Sequence, residues 1–167
     1  MTHSRQTPNW HIRRATASDA AAIHDLIVEL ARYEKAVDEV EVSVADLREH
    51  GFGSKERFIC WVVEDEAGVF GCALAYEKYS TWKGPCLYLE DLIVRESERG
   101  RGAGKALFQT VAHHAAANGF RRMEWQVLDW NVPAIGFYES FGTEWSAEWW
   151  NGKLVGDALK KAANLRG

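Results

Sequence analysis

The strongest sign of chemistry in this sequence is a run of closely spaced glycines, the segment RGRGAG from Arg99 to Gly104. Glycines at this spacing let several backbone N–H groups converge on one anion, because no Cβ blocks the approach. A helix that begins directly after the run adds the partial positive charge of its N-terminus. The segment predicts a phosphate-binding loop, with a flexible Gly-rich turn as the alternative.

Two familiar phosphate loops are excluded by their spacing. A Walker A loop needs glycine five residues before Gly104 and Ser or Thr after Lys105, where this chain has Arg99 and Ala106. A Rossmann fingerprint that begins at Gly100 needs glycine where the chain has Lys105. The predicted loop is therefore of another kind.

A second motif downstream suggests which kind it is. Arg99, Gly102 and Gly104 resemble the acyl-CoA pyrophosphate loop of the GNAT acetyltransferase superfamily, Arg/Gln-x-x-Gly-x-Gly/Ala. The segment NVPAIGFY, residues 131–138, is similar to the superfamily's Asn-x-x-Ala-x-x-Phe-Tyr, and the pair FG at 141–142 follows at the family spacing. Two motifs in the family's order are much more specific than either alone.

Other segments resemble one group within that superfamily, the diamine acetyltransferases, which include the spermidine/spermine and thialysine enzymes. These segments are ELARYE at 29–34, GFG at 51–53, YSTWKGPCLYLEDL at 79–92 and VLDWN at 127–131. The resemblance weakens after Gly142, where SAEWWNG at 146–152 replaces the group's acidic segment followed by Gly-Trp. It implies an α/β fold of the GNAT type, a single domain over residues 10–167 with a mixed central sheet flanked by helices.

The resemblance also implies an activity. The expected enzyme moves acetyl from acetyl-CoA to a primary amine of a small polyamine, diamine or thialysine-like amino acid. Transfer is expected to be direct, without a covalent enzyme intermediate, which fits the absence of a cysteine at the motif positions in 99–104 and 131–138. The group's homodimers imply a dimer here. Backbone groups near Leu92 are expected to bind the pantetheine and to polarise the acetyl carbonyl. The residues implied to contact acetyl-CoA are Leu92, Ile93, Val94, Arg99, Gly100, Arg101, Gly102, Ala103, Gly104, Lys105, Asn131, Ala134 and Tyr138.

Glu90 and Tyr138 are the predicted catalytic residues. An aliphatic amine has a pKa of about 10, so it must lose a proton before it attacks a thioester. Glu90 lies within the apolar run 87–94, where a carboxylate is hard to explain as packing. It is therefore the predicted base, with a structural ion pair as the alternative. The adjacent Asp91 faces the other side of the strand unless a bulge intervenes. Tyr138, otherwise a core tyrosine, is the predicted proton donor to the CoA thiolate.

Five residues are predicted to line the amine pocket. Tyr33 and Glu34 match substrate positions of the diamine group, although a glutamate at a helix end is commonly just solvated. Glu124 and Trp125 lie near a matching stretch and are expected to wall the pocket, with a core role as the alternative for the tryptophan. Glu148 is the candidate replacement for the group's later acidic contact.

Hydrophobic periodicity predicts the elements that position these residues. Strands are predicted at 10–14, 58–64, 69–79, 86–94 and 122–128, and helices at 19–34, 43–49, 100–118 and 133–141. After Thr143 the pattern is mixed: Trp145, Trp149 and Trp150 favour a strand, and residues 156–164 a final helix. The predicted order is β-α-α-β-β-β-α-β-α-β, and the tryptophans are expected to fill the core and a subunit interface.

Composition limits the partners. A formal net charge of −4 argues against a nucleic-acid partner and suits a cationic substrate. No apolar run approaches the length of a membrane span, and the pair His113-His114 lacks partners at metal-ligand spacing. The polar residues 1–9 predict a flexible lead without a signal peptide, hence a cytoplasmic protein. The three cysteines are expected to be buried thiols.

Two rival functions remain open on the sequence. Acetylation of a protein amine, at a peptide N-terminus or a lysine, requires an open groove that the sequence cannot display. A non-catalytic CoA-binding module would retain the glycine loop but has no need of both Glu90 and Tyr138. The joint presence of these two residues favours the enzyme.

Overall fold

Alternating apolar residues form five strands, which join in one sheet in the computed structural model, where residues 9–164 are described. The sheet order is β1-β2-β3-β4-β5; its first four strands are antiparallel, and β4 and β5 are parallel. The strands are β1 His11–Arg14, β2 Ile59–Asp65, β3 Gly68–Ser80, β4 Gly84–Val94 and β5 Met123–Glu124. The predicted mixed sheet is confirmed.

Three helices cover the two faces of this sheet: α1 Ala20–Tyr33, α2 Val44–Phe52 and α3 Ala103–Ala117. Helices α1 and α2 share one core cluster with β2 and β3, in which Ile23 of α1 and Val62 of β2 are at most 1% exposed. Trp61, the residue of β2 just before Val62, packs against His114 of α3 with 5.1 Å between the ring centroids. Because successive strand residues face opposite sides, α3 lies on the other face.

The helix boundaries follow from local chemistry. Ser43 precedes α2 and accepts a hydrogen bond from the backbone N–H of Asp46, whose carboxylate accepts one from the Ser43 N–H in return. This reciprocal cap satisfies two backbone donors that a helix start leaves without partners. Helix α3 ends at Ala117, before Gly119 at φ +75°, as the Asn-Gly pair predicts.

The chain divides after Gln126, and residues 127–164 form a second compact unit with two helices. These are α4 Val132–Glu139 and α5 Gly156–Asn164, and both were expected from the sequence. The remaining parts of the predicted lead and domain, residues 1–8 and 165–167, lie outside the described residues.

Three predictions are wrong. The strand expected at 122–128 is reduced to the two residues of β5, and residues 143–155 contain no strand. The part of the tryptophan prediction that concerns the core is also wrong, since only Trp61 is buried and Trp150 is 97% exposed. The part that concerns a subunit interface stays a prediction. Aromatic residues favour strands only where they can pack on a pleated surface, whereas Trp149 and Trp150 are 75% and 97% exposed.

The three cysteines are buried, as predicted. A hydrogen bond with the neighbouring Cys60, and then burial, hold the pKa of the Cys72 thiol above its usual value. Among residues 9–164, no group of three His, Cys, Asp or Glu side chains is placed to hold a metal ion. None of the described helices combines the length and apolar character that crossing a bilayer requires.

Candidate functional site

Strand β4 carries one extra residue opposite β3. Leu74 pairs with Asp91 and Ala75 pairs with Leu89, so Glu90 between them has no cross-strand partner in this register. A bulge of this kind bends the strand and interrupts the strict alternation of side chains between the two faces. The condition under which Glu90 and Asp91 can act together is therefore met.

The two carboxylates of the bulge differ in environment. Glu90 is exposed, whereas Asp91 is half-buried. Burial first, and then the negative charges of Glu90 and Glu34, raise the pKa of the Asp91 carboxyl to about 7. A carboxyl group with this pKa exchanges its proton near neutral pH, as a general acid or base must.

Asp91 is absent from the predicted site residues. The signal that could have pointed to it was the Glu-Asp pair inside an apolar strand. The decisive property, burial beside two other carboxylates, depends on how α1 packs over β4, and no local pattern encodes that.

The C-terminal end of α1 brings two predicted substrate residues to this strand. Glu34 follows the last residue of α1, and burial raises the pKa of its carboxyl. The ring of Tyr33 lies 5.4 Å from the guanidinium carbon of Arg99 in the glycine loop. Predicted amine-site and predicted loop residues are thus neighbours, although their roles stay predictions.

Two tyrosines line the same face next to the bulge. Tyr76 and Tyr88 are cross-strand partners whose ring centroids are 5.2 Å apart. The Tyr76 hydroxyl hydrogen-bonds Glu90, and burial followed by the charge of that carboxylate raises the pKa of Tyr76. The same two causes raise the pKa of Tyr88 to about 12, so both phenols are neutral donors near neutral pH.

The glycine loop has the backbone that an anion cradle requires. Gly100 and Gly102 have φ of +80° and +79°, a left-handed conformation that residues with a Cβ rarely adopt. Helix α3 begins directly afterwards at Ala103, and the first N–H groups of a helix have no partner within the helix. Gly104 lies close to β4, since a Cβ there would be 3.6 Å from Val94. This geometry suits a phosphate at the start of α3.

The two arginines of the loop differ in their contacts. The Arg101 guanidinium is paired with Asp65 at 3.0 Å and with Glu98, and it donates to the Asn9 side chain at 2.8 Å. It also lies 4.7 Å from the ring of Phe70. These contacts bind the loop to β2 and β3, so we expect the backbone of Arg101, not its guanidinium, to face a ligand.

The backbone of β4 beyond Tyr88 is not paired with β5. In the described chain the parallel pairing comprises only Leu87 with Met123 and Tyr88 with Glu124. Farther along β4, Ile93 points into the core, while Leu92 and Val94 are half-buried. A strand edge without a partner strand offers N–H and C=O groups to a bound molecule, so the predicted backbone contacts at 92–94 remain feasible.

Glu124 and Trp125 follow Met123 at the end of the sheet. The Glu124 carboxylate is bound by Lys78 at 2.9 Å and by Arg122 at 2.7 Å. Trp125 packs edge-on against Phe108 of α3 at 5.3 Å between centroids. The alternative of a packing role for the tryptophan therefore gains support, and a direct substrate contact by either residue stays a prediction.

The second unit carries the remaining predicted residues. Asn131 caps α4, with its side-chain oxygen accepting from the Ala134 N–H at 3.3 Å. Tyr138 lies on α4, is 8% exposed and packs against Phe137 at 5.1 Å. Glu148 is exposed in the segment between α4 and α5. The contacts of Asn131 and Tyr138 with acetyl-CoA, and of Glu148 with the substrate, stay predictions.

Comparison with known proteins gives consistent results. Residues 11–143 match the Acetyltransferase (GNAT) family. Thialysine N-epsilon-acetyltransferase of Bos taurus is 38% identical over 163 residues, which cover 91% of this chain and 96% of that protein. Spermidine/spermine N(1)-acetyltransferase-like protein 1 of Homo sapiens is 34% identical over 140 residues, covering 80% of this chain and 20% of that longer protein.

The fold is also shared with solved structures. Aminoglycoside N-acetyltransferase AAC(6')-Iy in complex with CoA superposes with a TM-score of 0.70 at 18% identity. The match covers 90% of this chain and 98% of that one. At this level of identity the likeness shows the fold alone.

The raised pKa of Asp91 predicts a pH-dependent stability. The ordinary pKa is 3.8 and the folded value about 7. Between these pH values the unfolded state is ionised while the folded state keeps the proton, so the free energy of unfolding falls as the pH rises. The stability from this group is fully present below about pH 4 and is lost as the pH rises through 7. Asp91→Asn should therefore gain stability relative to the wild type between pH 4 and 8, in urea unfolding followed by circular dichroism. Asp38→Asn, at an exposed carboxylate, is the control; a constant difference for Asp91→Asn would contradict the raised pKa.

Proposed function

Because this chain belongs to the acetyltransferase (GNAT) family, we propose that it transfers acetyl from acetyl-CoA to a primary amine of a small polyamine, diamine or thialysine-like amino acid. The observation that carries the proposal is the bulge in β4, with Asp91 at a pKa of about 7 beside Glu90 and Glu34. Three carboxylates attract an ammonium group, and one of them exchanges protons near neutral pH. The glycine loop supplies an anion cradle that suits the CoA pyrophosphate.

The proposed reaction begins with loss of a proton from the substrate ammonium. Glu90, exposed at the bulge, takes this proton directly or through water, and Asp91 sets the pH at which the pair can accept it. The amine lone pair then attacks the thioester carbon, a C–N bond forms, and the carbonyl oxygen becomes an oxyanion. Backbone N–H groups of residues 92–94 are the proposed donors to that oxygen.

Collapse of the tetrahedral intermediate restores the carbonyl and breaks the C–S bond. The departing CoA thiolate takes a proton from the Tyr138 phenol. Glu90, which has by then released the first proton to solvent, takes the extra proton of the new amide nitrogen and releases it in turn. Tyr138 then recovers a proton from solvent. The products are the acetylated amine and CoA with a free thiol, so the reaction can be followed by thiol release.

Assembly and compartment are also proposals. The resemblance to the diamine acetyltransferases supports a homodimer, and the exposure of Trp82, at 85%, is consistent with an additional contact surface. The proposed compartment is the cytoplasm. Light scattering on the purified protein measures the first directly.

The proposed activity predicts thiol release that depends on both acetyl-CoA and a small amine. We expect turnover with at least one of spermidine, putrescine, thialysine, lysine and ornithine, and much less with a histone-tail peptide. The assay is thiol titration with mass spectrometry of the product, and the control is Gly102→Val, whose side chain strains the loop at φ +79°. Turnover of the peptide alone would favour protein acetylation, and CoA binding without any turnover would favour the non-catalytic module.

The two carboxylates of the bulge are predicted to affect kcat/KM in different ways. Glu90→Gln should lower kcat/KM about 100-fold, a typical contribution of a general base. In Asp91→Asn the acidic limb of the kcat/KM profile should move below pH 7, because the group that titrates there is gone. Glu77→Gln, at an exposed position of β3, is the control for loss of a carboxylate. An acidic limb that Asp91→Asn leaves in place would remove Asp91 from the mechanism.

The role of Tyr138 predicts a separation of kinetic parameters. Tyr138→Phe keeps the ring but loses the proton donor, so kcat should fall about 100-fold while the Kd for CoA changes little. Stopped-flow kinetics and calorimetric CoA binding measure the two effects. Unchanged kcat would show that another group protonates the thiolate.

A further inference from the structure

A lysine lies on the same sheet face as the acidic cluster of Glu34, Glu90 and Asp91, at the opposite end of that face. Lys78 lies two residues beyond Tyr76 on β3, so both side chains point to the same face. The Lys78 ammonium is 5.5 Å from the ring centroid of Tyr88 and 2.9 Å from Glu124. Its side chain is 48% exposed, so it remains accessible from solvent.

This end of the face has a positive balance. Arg122 binds the other oxygen of Glu124 at 2.7 Å and is itself 39% exposed. Lys78 and Arg122 therefore share one carboxylate, so the three side chains together carry a net charge of +1. The Lys78 and Arg122 side chains are 48% and 39% exposed, whereas Glu124 is only 22% exposed and already holds both.

The opposite end of the face has a negative balance. Glu34, Glu90 and Asp91 lie close enough for their mutual repulsion to help raise the pKa of Asp91. Tyr76 and Tyr88, with rings 5.2 Å apart, form an aromatic floor between the two ends.

The separation of the ends suits a short molecule. Leu74, which faces Asp91, and Lys78 are four residues apart on β3, a distance of about 13 Å along an extended strand. An extended amino acid of the lysine type, with one ionic contact at each end, spans this length. Such a substrate carries an ammonium at one end and a carboxylate near the other, which matches the charges of the face.

We propose that Lys78, together with Arg122, binds the α-carboxylate of the substrate and so selects amino acids with a terminal amine over diamines and polyamines. The inference rests on the proposed acetyltransferase function and assigns its substrate class. A carboxylate gains a charge-assisted hydrogen bond from Lys78. The second ammonium of a diamine instead meets a like charge, a repulsive element that adds to the discrimination.

The test uses pairs of amines that differ only in this carboxylate: lysine against cadaverine, and ornithine against putrescine. For the wild type at saturating acetyl-CoA, kcat/KM should be at least tenfold higher for the amino acid of each pair. Lys78→Met should reduce this ratio about tenfold, mainly through KM for the amino acid, and Lys78→Glu should invert it. Lys55→Met, at an exposed lysine after α2, is the control and should leave the ratio unchanged.

The outcomes separate the inference from the function beneath it. Retained turnover of cadaverine by Lys78→Met shows that the variant folds and that only selectivity has changed. A wild type that prefers the diamines, or a ratio that neither Lys78 variant moves, overturns the role of Lys78 and leaves the acetyltransferase standing. Absence of turnover with all four amines, while CoA still binds, overturns the proposed function itself.

Discussion

The pairing of β3 with β4 around the unpaired Glu90 is the constraint on which the candidate site depends. A regular antiparallel pair would point Glu90 and Asp91 to opposite faces, one towards α3 and one towards α1. With the bulge, Leu74 faces Asp91 and the neighbouring carboxylate turns out of the ladder. The pairing of β4 with β5 ends at Tyr88, two residues before the bulge, because β5 itself ends at Glu124. The bulge therefore lies next to an open strand edge.

The charges around this bulge are arranged unevenly, and the arrangement has a cost. Carboxylates gathered in a partly buried place repel one another, and the raised pKa of Asp91 records that cost. In the proposed function a cationic amine relieves this repulsion on binding, so a destabilising feature of the free protein becomes attraction for substrate. At the other end of the face, Glu124 is held by Lys78 and Arg122 and contributes no comparable attraction. Uneven charge of this kind can orient an asymmetric molecule.

The glycine loop illustrates how similar residues acquire different tasks. Arg99 and Arg101 both flank glycines, and in the sequence they differ only in that Arg99 occupies a position of the loop motif. In the fold, Asp65 and Glu98 neutralise Arg101, whereas Arg99 extends over the ring of Tyr33. Arg101 fixes the loop to the sheet, and Arg99 links the loop to the end of α1. The left-handed Gly100 and Gly102 permit the turn that separates these two directions.

By itself the sequence determined the elements and their order up to α4, because hydrophobic periodicity, caps and glycines act within a few residues. It also determined the family, through the motifs at 99–104 and 131–138, and it placed the acidic pair on β4. It misled in the tail, where Trp149 and Trp150 suggested a strand that no neighbouring strand supports. The bulge, the pKa of Asp91 and the pairing of Lys78 with Glu124 were decided only by the tertiary structure. Register, burial and charge proximity are properties of segments far apart in the chain, and no local pattern records them.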